Sequence, residues 1–109
     1  MIGIDIAKID RFKGIKEADF KHWRNFFSKN EWKYCFSKPR VDEHLAAIFS
    51  IKESVMKAVG DYLVGRFDLI SVEHDEQGRP EVFIEGKLGI VNVSVSHESG
   101  LVVTVAITI

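Results

Sequence analysis

Asp42-Glu43-His44-Leu45-Ala46-Ala47-Ile48-Phe49-Ser50-Ile51-Lys52-Glu53-Ser54-Val55-Met56-Lys57-Ala58-Val59-Gly60 is the stretch on which the fold turns. Asp42 is a good N-cap and Gly60 a natural stop, so the spacing predicts a helix over 43–59. Leu45, Ile48, Phe49, Val55, Met56 and Val59 recur at i, i+3, i+4 and form one apolar face. Lys52 falls in the middle of that face, and Glu53 and Lys57 stand one turn apart at its edge. Taken singly these are ordinary features. An i, i+4 Glu–Lys pair contributes a few tenths of a kcal/mol on a surface, and a lysine on an apolar face usually lays its stem there and keeps its charge in water.

Toward the N-terminus, Ile2, Ile4 and Ile6 alternate with Gly3, Asp5 and Ala7, the pattern of a strand with one apolar face. Asp5 then lies on the opposite face, in a conformation where acids are disfavoured. Phe20, Trp23 and Phe27 share a stripe if Glu17 to Phe27 is helical, and Ser28-Lys29-Asn30-Glu31 has capping-box spacing ahead of Trp32 and Phe36. Pro39 ends that second helix. Beyond Gly60 the pattern changes to strands. Phe67 to His74 leads through Asp75-Glu76-Gln77-Gly78 to Glu81–Ile84. Val91, Val93 and Val95 then alternate with Asn92, Ser94 and Ser96, and after a turn at His97–Gly100 the chain returns as Leu101–Ile109. Helices followed by antiparallel hairpins predict an α+β fold, with helices packed on antiparallel sheet in a single domain over 1–109.

Composition narrows the function classes. At 109 residues with 46% hydrophobic and 28% charged content, the chain can build one core. Its one cysteine, Cys35, excludes an internal disulfide and a multi-cysteine zinc site, and four scattered histidines have no metal-ligand spacing. Met1-Ile2-Gly3-Ile4-Asp5 lacks a basic leader and no apolar run reaches the ~20 residues of a membrane span, so a cytoplasmic protein with no membrane role is expected. The net charge of −1 conceals an asymmetry. Lys8–Arg40 carries ten Lys/Arg against four Asp/Glu, and Val41–Ile109 five against eleven. A basic first third points to an anionic partner. No RNA- or DNA-binding signature accompanies the charge, so nucleic acid is the least favoured candidate.

The order of motifs carries more than any one of them. Gly3-Ile4-Asp5-Ile6 with Ile9 and Arg11, then Phe49-x-x-Lys52-Glu53-x-x-x-Lys57-Ala58-x-Gly60, then Gly78-x-Pro80, then Ser94-x-Ser96-His97 occur in sequence. That set resembles the holo-acyl-carrier-protein synthase type of the 4'-phosphopantetheinyl transferase family, which implies the fold of that name. The resemblance spans nearly the whole chain, and Ser28-x-x-Glu31 falls where that family opens a helix with Thr-x-x-Glu.

The resemblance implies magnesium-dependent transfer of phosphopantetheine from coenzyme A to a serine of an acyl carrier protein, with release of adenosine 3',5'-bisphosphate. Breaking a diphosphate spreads charge that a cation and donors must meet, and magnesium uses few carboxylates and leaves room for phosphate oxygens. By resemblance, Asp5 and Glu53 bind the metal, while Lys57 contacts phosphate and acts in catalysis with Glu53. Ser96 and His97 meet the adenosine-side phosphate of coenzyme A. Lys52 either joins that cradle or neutralises Glu53. Arg11 grips the acidic carrier protein, with Lys13 and Arg24 extending the basic surface, and Lys16 and Lys21 beside them. The proton of the attacking serine goes to Glu53 or to a metal-bound water. A homotrimer with shared active sites is also implied, and Val102–Ile109, apolar on both faces apart from Thr104 and Thr108, needs cover on both sides.

Two departures from the family pattern stand out. Ala47-Ile48 replaces Gly-Arg, and Asp61-Tyr62 replaces the Thr-Gly that follows Gly60. One phosphate-binding cation is thereby lost, and Arg66 in the loop after the helix is the candidate replacement. The competing reading is a degenerate member that binds a carrier or nucleotide without catalysis.

Overall fold

The computed structural model describes residues 1–109. Its first strand, β1 (Ile2–Lys8), is followed by short 3-10 turns and α1 (Phe20–Trp23), then α2 (Lys29–Phe36) and the long α3 (Val41–Val59). β2 (Ile70–His74), β3 (Pro80–Ile84) and β4 (Lys87–Leu88) form one antiparallel sheet in that order. β5 (Val91–Glu98) and β6 (Leu101–Thr108) form the other with β1, in the order β1-β6-β5. α3 packs across this second sheet, touching all three strands, and meets α2 and β2 on its other side. The α+β expectation holds.

Because α3 is covered from two directions, its buried set extends well past the apolar face and takes in Ala46, Ser50, Lys52, Ser54 and Ala58. The small residues face the sheet and let the backbones approach. Gly3 marks the limit: a Cβ there would lie 2.0 Å from the Ser54 carbonyl oxygen and 2.9 Å from Lys57 Cβ. β1 accordingly presents Gly3, Asp5 and Ala7 to the helix and turns Ile2, Ile4 and Ile6 outward, where they are exposed. The apolar face of β1 is thus its outer face, and Val103 and Ile107 of β6 are exposed there too.

On the opposite side of α3 the aromatic residues Phe12, Phe26, Phe27, Phe49 and Phe67 pack in tilted and edge-on contacts, with centroids 5.0–6.5 Å apart. The capping box expected at Ser28 forms, with Ser28 Oγ accepting from Glu31 N and Glu31 Oε1 accepting from Ser28 N. Cys35 on α2 is fully buried and its thiol is pushed up to about 12, by burial first and then by the Glu31 charge.

Several boundaries differ from the sequence reading. Glu17–Phe27 is a 3-10 turn plus a single α-turn, because Phe20, Trp23 and Phe27 fold around Phe12 and Trp32 rather than line a straight helix. α3 starts at Val41 after Arg40 in the left-handed region (φ 56°), and Asp42 lies inside its first turn. Phe67–Leu69 is a 3-10 turn, so the following strand begins at Ile70. β5 and β6 run on to Glu98 and Leu101, leaving Ser99-Gly100 as a two-residue turn with both φ positive, the form matched to strand twist.

Candidate active site

Asp5 is placed by register and by close packing. It sits opposite Thr104 of β6 on the sheet face that meets α3, and α3 brings Ser50, Glu53, Ser54 and Lys57 to the same seam at i, i+3, i+4, i+7. Ser50 Oγ donates to Asp5 Oδ2 at 2.8 Å and lies 2.8 Å from Thr104 Oγ1, and Thr104 Oγ1 also donates to the Ser50 carbonyl at 3.0 Å. One carboxylate oxygen is therefore anchored by a buried hydroxyl pair. On the other side, Lys57 Nζ lies 2.9 Å from the Ile4 carbonyl and 3.4 Å from Asp5 Oδ1. Lys57 pairs with Asp5 across the seam, and not with Glu53 one turn below it.

Glu53 is half-buried beside this pair. Its carboxyl is pushed above the usual range, chiefly by burial and next by the Asp5 charge, while Lys57 and Arg11 pull it back. The Asp5 charge is close enough to oppose the ionisation of Glu53, and the cations Lys57 and Arg11 are close enough to favour it. Arg11 arrives from the 3-10 turn after β1, with its guanidinium 5.1 Å from the Phe49 ring centroid and 5.7 Å from that of Phe12. Two oxygen-donor carboxylates in one half-buried seam suit a hard cation such as magnesium. No group of three or more His, Cys, Asp or Glu converges to enclose a metal, so any further ligands would come from substrate and water.

Lys52 takes neither of the roles left open for it. Its ammonium is buried in an ion pair with Glu31 Oε1 at 2.7 Å and donates to the Phe26 carbonyl at 2.9 Å. Glu31 Oε2 in turn accepts from Val72 N at 2.7 Å. Burial pulls Lys52 below the usual lysine range and the Glu31 charge resists. Lys52 points to the opposite side of α3 from Asp5, since successive helix positions turn by 100°. It ties α2, α3 and β2 together.

The coenzyme A candidates separate as well. His97 lines a cavity of about 460 Å³ together with Tyr34, His44, His74, Arg79 and Pro80. Its Nδ1 lies 2.9 Å from Glu43 Oε1. Tyr34 stacks on His74 with centroids 4.0 Å apart and an interplanar angle of 2°. Burial holds His44 and His74 below the ordinary histidine range. Ser96, adjacent to His97 on a strand, faces the other side of the sheet and does not line this cavity. Ile48 is buried in the core. Arg66 is exposed and forks onto Asp68 through two hydrogen bonds of 3.0 and 2.9 Å, which use two of its five N–H donors. Lys13 and Arg24 are exposed, as a surface role requires.

Sequence reasoning missed Ser50, Thr104, Tyr34, His44, His74 and Arg79. Ser50 shares the i, i+3, i+7 stripe with Glu53 and Lys57, which was the available signal. For the cavity residues, which come from α2, α3, β2 and the turn before β3, no local pattern existed.

The sequence profile of the 4'-phosphopantetheinyl transferase superfamily matches residues 1–106. The chain belongs to that family. It is 34% identical over 118 aligned positions to a holo-acyl-carrier-protein synthase of Caldanaerobacter subterraneus, covering 99% of this chain and 93% of that one. It is also 39% identical over 106 positions to the synthase of Limosilactobacillus reuteri, covering 94% and 91%. The Helicobacter pylori synthase, solved in complex with coenzyme A, superposes with a TM-score of 0.79 at 27% identity, covering 99% of both chains. This phosphopantetheinyl transferase carries two acids and a lysine at its β1–α3 seam.

Proposed function

We propose that this phosphopantetheinyl transferase is a holo-acyl-carrier-protein synthase, moving 4'-phosphopantetheine from coenzyme A to a carrier-protein serine with magnesium. The observation that carries the reading is the seam itself: Gly3 lets β1 close on α3, so that Asp5, Glu53 and Lys57 meet in one place. The relatives in the family are named for this reaction, and one was solved with coenzyme A.

In this reading Asp5 and Glu53 hold the cation, which when bound offsets charge on the diphosphate. Ser50 keeps Asp5 oriented, and Lys57 supplies a donor to the phosphate that receives attack. The carrier serine oxygen bonds to the phosphorus bearing the pantetheine arm, the bond to the bridging oxygen breaks, and adenosine 3',5'-bisphosphate leaves. Glu53 is the carboxylate at hand to take the serine proton. His97 and the cavity around it receive the adenosine end, and Ser96, on the other face of the sheet, has no part in that site within one subunit.

Arg11, next to Glu53, and the exposed Lys13 and Arg24 belong to the basic first third of the chain, which an acidic carrier would meet as it brings its serine. The exposed Ile2, Ile4, Ile6, Val103 and Ile107 give one apolar sheet face, which supports the homotrimer that the family resemblance implies. No helix is long and apolar enough to cross a membrane, and a cytoplasmic location suits these substrates.

Mass spectrometry of acyl carrier protein after incubation with this chain, magnesium and coenzyme A tests the reading. A gain of one phosphopantetheine group that disappears without metal is expected. Binding of coenzyme A or carrier with no mass gain would establish the degenerate alternative, to which the loss of arginine at Ile48 points.

A further inference from the structure

Asp5 has two oxygens with different constraints. Oδ2 is fixed by the buried Ser50–Thr104 hydroxyl pair. Oδ1 is met only by the Lys57 ammonium, at 3.4 Å, which is well beyond the 2.7–2.9 Å of a strong charge-assisted contact. The shorter bond of that ammonium is to the Ile4 carbonyl. Lys57 is also 54% exposed on a flexible four-carbon stem, whereas Asp5 is only 15% exposed. The weakly held, mobile partner at Oδ1 is therefore a cation that can leave, beside an acid that cannot.

We propose that Lys57 is a resident placeholder for the divalent cation, occupying Asp5 in the metal-free protein and surrendering it when the metal arrives on the diphosphate of coenzyme A. The inference rests on the metal reading above. An ammonium and a divalent cation cannot share one carboxylate oxygen without strong repulsion, and Arg11 adds a further positive charge near Glu53. A bare metal ion must therefore displace Lys57 into water. A metal bound to diphosphate brings the anion that receives it. Metal and coenzyme A then strengthen each other's binding, with Lys57 as the coupling element. Without the lysine, two opposed carboxylates are left with less compensation and a stronger demand for a cation.

Manganese(II) is the probe, titrated by its paramagnetic effect on water relaxation in the absence of coenzyme A. Lys57→Met is expected to bind it at least ten-fold more tightly than the parent protein, although the variant transfers poorly. Asp5→Asn should lose binding while keeping its bond from Ser50. In a second measurement, reductive methylation of the Lys57 amine, read by peptide mass, should accelerate when manganese is added to the parent and stay constant in Asp5→Asn. Equal, measurable affinities in parent and Lys57→Met, or a methylation rate unmoved by metal in the parent, would overturn the placeholder and leave the metal site standing. Absence of manganese binding in both parent and Lys57→Met would overturn the metal site, and the placeholder with it.

Discussion

Replacing Gly3 with alanine tests whether the site depends on the closeness of β1 and α3. The added Cβ would lie 2.0 Å from the Ser54 carbonyl oxygen and 2.8 Å from Ala58 N, both backbone atoms of α3. Restoring an ordinary contact of 3.4 Å requires strand and helix to separate by about 1.4 Å along that line. No side-chain rotation relieves a clash with helix backbone. Overpacking typically costs about 1–3 kcal/mol, and a rigid backbone contact belongs at the upper end. A loss of about 3 kcal/mol lowers the melting temperature of a domain this size by roughly 12–24 °C. The displacement also moves Asp5 from Glu53 and Lys57, and a misplacement of about 1 Å can cost on the order of 100-fold in rate. Gly3→Ala should therefore be less stable in urea titrations and, under conditions where it remains folded, should transfer about 100-fold more slowly. A variant as stable and as active as the parent would show that the seam tolerates opening and that the close approach does not organise the site.

Three further outcomes follow from the geometry. Lys52→Met leaves Glu31 buried without its partner and should cost about 3–5 kcal/mol in a urea titration; adding Glu31→Gln should recover part of that loss, and a single-variant cost under about 1 kcal/mol would contradict the buried pair. Glu53→Gln should abolish transfer yet raise the melting temperature of the metal-free protein at neutral pH. The folded pKa of Glu53 lies above its unfolded value, so its ionisation disfavours folding as pH rises through that range, and the gain from Gln should vanish as pH falls below it. Arg11→Ala should raise the KM for carrier and flatten its salt dependence, because an exposed arginine facing an acidic partner acts mainly on encounter; a changed KM for coenzyme A alone would move Arg11 to the nucleotide side.

Local signals carried much of this reading. The Ser28–Glu31 box, the Gly60 stop and the alternation in β1 and β5 are short-range patterns, and each formed. Which way a strand faces is a different matter. Ile2, Ile4 and Ile6 look like core residues in isolation, but the helix packs against the small residues between them because only Gly3 admits it. Lys52 stood in the apolar face by periodicity, and its partner Glu31 lies 21 positions away, beyond any local window. Asp5 and Glu53 were paired through the family resemblance. Nothing in their spacing would have joined them without the sheet register that sets Asp5 opposite Thr104.

Cys35 has a use that follows from its surroundings. It is the chain's one thiol, wholly enclosed, and its pKa of about 12 leaves almost no thiolate at neutral pH. Alkylating reagents can modify it only when α2 lifts from α3. Its labelling rate is thus a built-in clock for that opening, independent of catalysis, against which any ligand that clamps the helices together would show as a slower tick.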